Sequence, residues 1–246
     1  DNTRQFDCAV ENLSDDFTQI AIQGPKGVNV LQKLTDADLS AVRFYWITRG
    51  SVCGLKNILI ARTGYTAEDG FEIYVPADEA TSERVWNEIL SAGKEFGIVP
   101  CGLGARNTLR LEGKLPLYGH EISDTINVWE AGLDRFCKME KPDFIGRAAL
   151  EKAKAEGLKR TLVGLEMTER GIARDGHKVL NSDGSGREIG YVTSGSPAPF
   201  LKKNIALAYV PPAFAALGTP LKVEIRGQGV AAQVVPTPFY KKPKKA

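Results

Sequence analysis

The 246 residues carry 32 lysines and arginines against 30 aspartates and glutamates, a formal net charge of +2. Since Lys241, Lys242, Lys244 and Lys245 stand together at the end, the rest is nearly neutral and nothing in it favours nucleic-acid binding. A content of 43% hydrophobic and 25% charged residues is typical of a globular chain with one or two domains. No apolar run reaches the about 20 residues that a membrane-spanning helix needs.

The cysteines and histidines are too scattered to predict a metal site or a disulfide framework. Cys8, Cys53, Cys101 and Cys137 form no C-x-x-C pair, and His120 and His177 are the only histidines. This pattern favours a reducing compartment, the cytoplasm, or the mitochondrial matrix if the organism is eukaryotic. The polar opening at residues 1–4 has no methionine and no signal-peptide pattern, so we expect the sequence to begin within a longer protein.

The first part of the chain alternates predicted strands with predicted helices. Residues 18–22 show the two-residue apolar period of a strand, and after Gly24 and Pro25 a helix follows with apolar residues every three positions. Further strands are predicted at residues 43–48, 57–62 and 71–75. The last two are separated by the glycine-rich turn 63–70 and should form a hairpin.

Three more helices and a set of short strands complete the prediction. A helix capped by Asp78 or Thr81 should bury Val85, Trp86, Ile89 and Leu90, and a second helix covers residues 103–111. A connecting helix, 144–154, ends at Gly157. Strands then follow at 161–167, 188–193, 205–210, 221–226 and 230–235. This order predicts an α+β domain, residues 1–157, and a small C-terminal all-β barrel or sandwich domain, residues 158–246.

The predicted hairpin turn is dense in polar chemistry. Residues 63–72 contain a tyrosine, three acids and two glycines. We expect Glu68 and Asp69, at the tip, to face water. Glu72 stands between Phe71 and Ile73 in a strand, so its side chain should point to the face opposite theirs. A carboxylate held there can accept two parallel hydrogen bonds from a planar donor–donor edge such as that of a pterin ring.

Two arginines share one face of the helix predicted at 103–111. Arg106 and Arg110 are four residues apart, and either they pair with Glu112 or other surface acids, or one of them binds an oxygen of a ligand. Common catalytic signatures are missing, because there is no nucleophile elbow, phosphate-binding loop or dinucleotide fingerprint. We interpret His120 and His177 as ordinary hydrogen-bonded histidines.

Five motifs, in the same order and spacing, resemble those of glycine cleavage T-proteins. They lie at residues 62–72, 101–112, 117–121, 143–146 and 193–206. The resemblance extends from about residue 15 to residue 240, which makes it far more specific than any one motif. It implies a folate-binding α+β domain followed by a β-barrel.

The resemblance also implies an activity and a set of binding residues. T-proteins take the aminomethyl group from the lipoyl arm of the H-protein and pass its carbon to tetrahydrofolate, which yields 5,10-methylenetetrahydrofolate and ammonia. Glu72 and Arg106 match the family's folate-contacting Glu and Arg, and we expect them to face one cavity. Tyr65 and Phe44 match aromatic residues near the pterin, and Tyr240 matches a C-terminal substrate-contacting tyrosine. No metal is implied.

The sequence departs from the family pattern in two places. Ala67 replaces a usual glycine, which should restrict the turn only if that position requires a positive φ angle. The family's N-terminal third, with its catalytic aspartate, has no counterpart here. No catalytic residue is therefore assigned, and we expect this chain alone to show little activity.

Relatives with other chemistry are the alternatives. The iron–sulfur assembly branch carries a K-G-C-x-x-G-Q-E signature, whose cysteine is absent from residues 113–121. A folate domain of dimethylglycine or sarcosine dehydrogenase would require a flavin domain in the same gene. An inactive folate-binding fragment or a folate-free interaction module are the remaining interpretations.

Overall fold

The computed structural model describes residues 6–243, so residues 1–4 and the lysines 244 and 245 of the sequence analysis lie outside the described part. The chain separates into two compact units, Asp1–Cys101 and Gly102–Ala246. The division expected at residue 157 stays a prediction. Among the described residues, no helix is long and apolar enough to cross a membrane.

The first unit is an antiparallel sheet with two helices. Its strands lie in the spatial order β1-β4-β3-β2. In chain order the elements are β1 (Phe17–Gln23), α1 (Gly27–Gln32), β2 (Ile47–Val52), β3 (Leu55–Ala61), β4 (Gly70–Pro76) and α2 (Glu79–Gly93). The predicted hairpin is confirmed, because β3 and β4 pair in antiparallel register with Ala61 opposite Glu72.

One face of this sheet forms the core of the unit. Ile60, Phe71 and Ile73 are fully buried there and pack with Leu31 of α1 and Val85 of α2. Asp78 caps α2 as predicted, since its Oδ1 accepts from the Thr81 N–H at 2.8 Å. Trp86 was predicted to be buried, but its side chain is 39% exposed. Both helices belong to the apolar core, so the side chains of the other sheet face lie outside this core.

β2 begins later than predicted because the chain turns before it. The strand was expected at residues 43–48 but starts at Ile47. Tyr45 has a φ angle of +67°, and the Trp46 N–H donates to the Arg43 carbonyl at 2.9 Å, both of which mark a turn. The aromatic residues before Ile47 therefore lie in a loop.

The second unit contains two helices and a closed barrel. The helices are α3 (Leu103–Glu112) and α4 (Arg147–Glu156). The strands are β5 (Thr161–Met167), β6 (Lys178–Asn181), β7 (Glu188–Ala198), β8 (Lys203–Val210), β9 (Pro220–Ile225) and β10 (Gln228–Val235). They close in the order β10-β5-β8-β7-β6-β9, so the all-β part is a barrel and no sandwich. β6 was not predicted, and α4 starts three residues late because Gly146 precedes it at a φ angle of +91°.

Tight packing inside the barrel predicts a large effect for one added methyl group. A Cβ at Gly190 would overlap the backbone carbonyl oxygen of Tyr209, which cannot move without disturbing β8. We expect Gly190→Ala to lower the free energy of unfolding by about 2 kcal/mol or more. Gly104→Ala is the matched control, because a Cβ at this position of α3 meets no atom within 4 Å. It should stabilise by about 0.5 to 1 kcal/mol. Urea unfolding of the two variants measures both, and similar effects would contradict the packing argument.

Candidate functional site

Glu72 lies between two alanines, on the sheet face opposite the apolar core. Its register partners are Ala21 on β1 and Ala61 on β3, and Ile47 on β2 stands opposite Ala61. Phe71 and Ile73 are fully buried on the other face while Glu72 is partly exposed, so the predicted orientation is confirmed. Directly opposed residues of antiparallel strands share a face. Ala21 is exposed whereas Ala61 is only 6% exposed, so a flat ring has room to approach the carboxylate on the Ala21 side.

Tyr74 supports the Glu72 carboxylate from two residues along the strand. Its hydroxyl donates a long hydrogen bond of 3.4 Å to Oε2 of Glu72. Burial first, and then the negative charge of Glu72, raise the pKa of the Tyr74 hydroxyl above its ordinary value. The phenol therefore stays protonated at neutral pH and orients one oxygen of Glu72. Sequence reasoning missed Tyr74, although the two-residue period of a strand places it on the face of Glu72.

Gln23, at the end of β1, holds the turn between β3 and β4. Its Nε2 donates to the Thr63 carbonyl at 3.1 Å, and its Oε1 accepts from the Thr66 hydroxyl at 3.0 Å. Gly64 and Gly70 pack so closely on this amide that a Cβ at either position would overlap it. The two glycines of the turn are therefore explained by close approach to one partly buried amide.

Ala67 occupies a position that favours glycine. Its φ angle is +60°, in the left-handed region where a Cβ costs about 1 kcal/mol. We expect Ala67→Gly to stabilise the chain by about 0.5 to 1 kcal/mol, the strain relief less the added chain entropy. Ala80→Gly, in the first turn of α2, is the control and should destabilise by up to about 1 kcal/mol. Thermal unfolding compares the two, and a destabilised Ala67→Gly variant would rule out strain at this turn.

Arg62 joins the turn to the loop before β2, and it overturns one expectation. Its Nε and Nη2 donate to the two carboxylate oxygens of Asp69 at 3.0 and 2.6 Å, and the Asp69 side chain is only 14% exposed. The expectation that Asp69 faces water is wrong, because an arginine at the end of β3 stands opposite it. Glu68 is likewise partly buried. A third donor, Nη1 of Arg62, contacts the Val42 carbonyl at 2.8 Å.

Phe44 lies in the loop that Arg62 holds. It is 44% exposed, and its ring centroid is 4.2 Å from that of Tyr45. The Tyr45 N–H donates to the Arg62 carbonyl at 2.8 Å. Arg62 therefore holds both the loop that contains Phe44 and the turn that contains Tyr65. Both predicted site residues thus lie in segments attached to the hairpin of β3 and β4, which contains Glu72.

In the second unit, α3 connects the other two predicted site residues. Arg106 is exposed in its second turn, and its N–H donates to the carbonyl of Gly102, the residue before the helix, at 3.2 Å. At the other end, the carbonyl of Glu112 accepts from the Tyr240 N–H at 2.8 Å. Residues 106 and 112 are about 9 Å apart along a helix axis at 1.5 Å per residue. Tyr240 also makes an edge contact of 5.3 Å with the ring of Phe200.

Arg110 is buried, which decides between the two interpretations of its role. Its side chain is 2% exposed, and it pairs with the fully buried Glu121 at 2.9 Å. The surface pairing with Glu112 considered for it is therefore wrong. Asn107, Thr193 and Ser194 complete a group that we call the Arg110 cluster, which comprises these three residues with Arg110 and Glu121.

Both histidines are hydrogen-bonded, as predicted. His120 Nδ1 lies 2.9 Å from the Thr193 carbonyl and 3.2 Å from Oδ2 of Asp175. His177 Nδ1 accepts from the Arg174 N–H at 3.2 Å. Within the described ranges no group of three or more His, Cys, Asp and Glu residues is arranged to hold a metal ion.

The predicted site residues fall in two units. Phe44, Tyr65 and Glu72 belong to the first unit, whereas Arg106 and Tyr240 belong to the second. Their roles in folate binding, and the single cavity expected for Glu72 and Arg106, stay predictions. Sequence reasoning missed Gln23, Arg62 and the Arg110 cluster, whose members join positions up to 84 residues apart.

Two family models match the chain over most of its length. One describes the GCVT N-terminal domain and matches residues 1–141. The other describes the glycine cleavage T-protein C-terminal barrel domain and matches residues 160–241, which contain all six barrel strands.

The chain is similar to proteins described as aminomethyltransferases. An aminomethyltransferase of Koribacter versatilis (strain Ellin345) is 75% identical over 246 residues, which cover 100% of this chain and 64% of that protein. An aminomethyltransferase of Acidobacterium capsulatum is 64% identical over 99% of this chain and 64% of its own length. The crystal structure of glycine cleavage system aminomethyltransferase T from Bartonella henselae matches with a TM-score of 0.82 and 31% identity, covering 92% of this chain and 60% of that one. The chain thus spans about two thirds of the length of these relatives.

Proposed function

We propose that this chain, which belongs to the glycine cleavage T-protein family, forms the folate-binding and barrel part of a tetrahydrofolate-dependent aminomethyltransferase. The relatives are enzymes by name, and the reaction that we assign is theirs by resemblance. Aminomethyl-lipoyl H-protein and tetrahydrofolate react to give 5,10-methylenetetrahydrofolate, ammonia and dihydrolipoyl H-protein. Tetrahydrofolate is a substrate, and we propose no metal.

The setting of Glu72 is the observation that carries the proposal. The carboxylate stands beside the exposed methyl group of Ala21, which leaves space on that side, and Tyr74 orients one of its oxygens. The aminopyrimidinone edge of a pterin presents two parallel N–H donors, which match the two oxygens of a carboxylate. Charge-assisted hydrogen bonds of this kind contribute about 1.5 to 3 kcal/mol each, so this pair would dominate recognition of the ring.

The other site residues have supporting roles in the proposal. The Arg106 guanidinium, exposed on α3, donates to an oxygen of the folate. Phe44 and Tyr65 provide aromatic surface beside the pterin, and Tyr240, anchored at the end of α3, contacts the substrate. Neither these four side chains nor Glu72 transfers a proton in the reaction.

The chemistry needs both positioning and proton transfer. N5 and N10 of tetrahydrofolate form bonds to the aminomethyl carbon, while the bonds of that carbon to nitrogen and sulfur break. N5 and N10 each lose one proton, the departing amine takes up one to leave as ammonia, and the departing sulfur takes up the other to form the dihydrolipoyl thiol. We propose that Glu72 and Arg106 hold the pterin so that N5 faces the aminomethyl carbon, an entropic contribution to the rate. The group that manages the proton lies outside the residues assigned here.

Activity therefore should depend on the part of the relatives that this chain does not match. We use the term extended protein for this sequence fused to the part of the Koribacter versatilis aminomethyltransferase that it does not match. Incubated with aminomethyl-lipoyl H-protein and tetrahydrofolate, it should release ammonia and 5,10-methylenetetrahydrofolate in equal amounts. The 246-residue chain alone should be at least about 100-fold slower, the usual contribution of a positioned proton-transfer group.

Two results would contradict the proposal. An extended protein that binds tetrahydrofolate but releases no ammonia would place this sequence among the folate-binding relatives with other chemistry. An extended protein that binds no tetrahydrofolate would favour a folate-free interaction module.

For the cellular location we propose the cytoplasm, in keeping with the bacterial relatives.

A further inference from the structure

We propose that Arg110 is a positioning residue, whose buried hydrogen bonds fix the rotation of α3 about its axis and thereby aim Arg106 at the folate. This inference rests on the proposed function, since it concerns the same substrate. Arg106 stands one helical turn before Arg110, and residues four apart on a helix lie on the same side, with their Cβ atoms about 6 Å apart. Any rotation of the helix at residue 110 is therefore carried to residue 106.

All three nitrogens of the Arg110 guanidinium are hydrogen-bonded to fixed acceptors. Nε and Nη2 donate to Oδ1 of Asn107 at 3.0 and 2.7 Å, within the helix itself. Nη1 donates to Oε2 of Glu121 at 2.9 Å, and Nη2 donates to Oγ of Ser194 on β7 at 2.8 Å. The planar group is thus held between the helix, the loop after it and the barrel wall.

Glu121, in turn, is fixed from three directions. Its Oε2 accepts from the Leu117 N–H at 2.9 Å, and its Oε1 accepts from the Thr193 hydroxyl at 2.6 Å. Its backbone carbonyl accepts from the Tyr209 hydroxyl on β8 at 2.7 Å. Glu121 is 0% exposed, so its position follows that of the barrel. The acceptor that aims Arg110 is therefore a loop residue held in place by side chains of the barrel strands β7 and β8.

A lysine could not take this role. Its ammonium is a point charge on a flexible stem, whereas the guanidinium fork is planar and addresses several acceptors at set angles. Alignment matters for the substrate, because a displacement of about 1 Å in a binding group can cost about 100-fold in rate. Arg110 touches no substrate in this scheme and acts through Arg106.

A double-mutant cycle on tetrahydrofolate binding tests the proposal. In the extended protein, calorimetry would compare Arg106→Ala, Arg110→Lys and the double variant. We expect Arg110→Lys to weaken binding about tenfold, and the double variant to bind no more weakly than Arg106→Ala alone. Arg147→Lys, which changes an exposed pair with Glu151 on α4, is the matched control and should leave affinity unchanged.

Ser194→Ala provides a second test of the positioning role if Arg110→Lys folds poorly. It removes one acceptor while Nη2 keeps Asn107, so we expect a weakening of about two- to threefold that also disappears in the Arg106→Ala background. Independent, multiplying effects of the changes at 106 and 110 would overturn the positioning role, as would an unchanged affinity for Arg110→Lys and Ser194→Ala. If Arg106→Ala itself binds normally, the folate role of Arg106 in the proposed function fails, and the positioning role fails with it.

Discussion

Glu121→Leu should lower the free energy of unfolding of this chain by about 3 to 5 kcal/mol. The variant leaves the guanidinium of Arg110, which is 2% exposed, without its charged partner in a site that excludes water. It also strands the Leu117 N–H, which now donates to the Glu121 carboxylate, and it leaves the Thr193 hydroxyl with the Leu207 carbonyl in place of its shorter bond to Glu121. The cost is the penalty of an uncompensated buried charge together with unmade hydrogen bonds.

The double variant Arg110→Met/Glu121→Leu separates charge from packing. With both charges removed we expect it to recover about 1 to 4 kcal/mol relative to Glu121→Leu, because no unpaired buried charge remains. Urea unfolding followed by circular dichroism measures the series. Lys152→Met, in the exposed pair with Glu156, is the control and should change stability by less than about 0.5 kcal/mol. A loss below about 1 kcal/mol for Glu121→Leu would show that the pair is not desolvated.

Glu72→Gln should weaken tetrahydrofolate binding by the extended protein at least about tenfold. A carboxylate accepts two parallel hydrogen bonds, whereas an amide accepts only at its oxygen and presents its NH₂ to the other donor of the ring. The strand itself should tolerate the change, because the side chain is partly exposed and has the same shape. Ala21→Leu should weaken binding as well, since it fills the space on one side of the carboxylate.

Calorimetry on three variants separates recognition from folding. Glu88→Gln, at an exposed position of α2 that pairs with Arg84, is the control and should bind as the parent does. Tyr74→Phe should have an intermediate effect, because it removes the hydroxyl that orients Glu72. Equal affinity of Glu72→Gln and the parent would reject the folate role of Glu72.

The sequence predicted most elements because their patterns are local. Apolar patterns and turn residues predicted nine of the ten strands and all four α-helices in the part of the chain that the structure describes. β6 was not predicted because it is only four residues long and shows no alternation, since Val179 and Leu180 are both buried. The start of β2 was misplaced because Phe44 to Trp46 have strand-like composition, while hydrogen bonds from Arg62 hold them in a loop.

The site was predicted less completely because its supporting contacts are distant in sequence. The orientation of Glu72 follows from its apolar neighbours Phe71 and Ile73 and the two-residue period of a strand, so the local sequence was enough to predict it. Nothing local connects Arg110 with Ser194, 84 residues later, or Gln23 with the turn 40 residues away. The only available signal was indirect, since Glu121, Thr193 and Ser194 fall within motifs that resemble those of T-proteins. The spacing of residues could not show whether Asp69 and Arg110 face water, whereas their burial in the structure shows that both are paired inside the protein.

Hydrogen–deuterium exchange of the extended protein with saturating tetrahydrofolate tests most directly whether Glu72 and Arg106 both bind the folate. It requires no substitution and reports on both units in one experiment. We predict slower exchange in peptides covering β4 (Gly70–Pro76) and α3 (Leu103–Glu112), with no change in β9 (Pro220–Ile225). Unchanged exchange in either β4 or α3, although tetrahydrofolate is bound, would contradict the account.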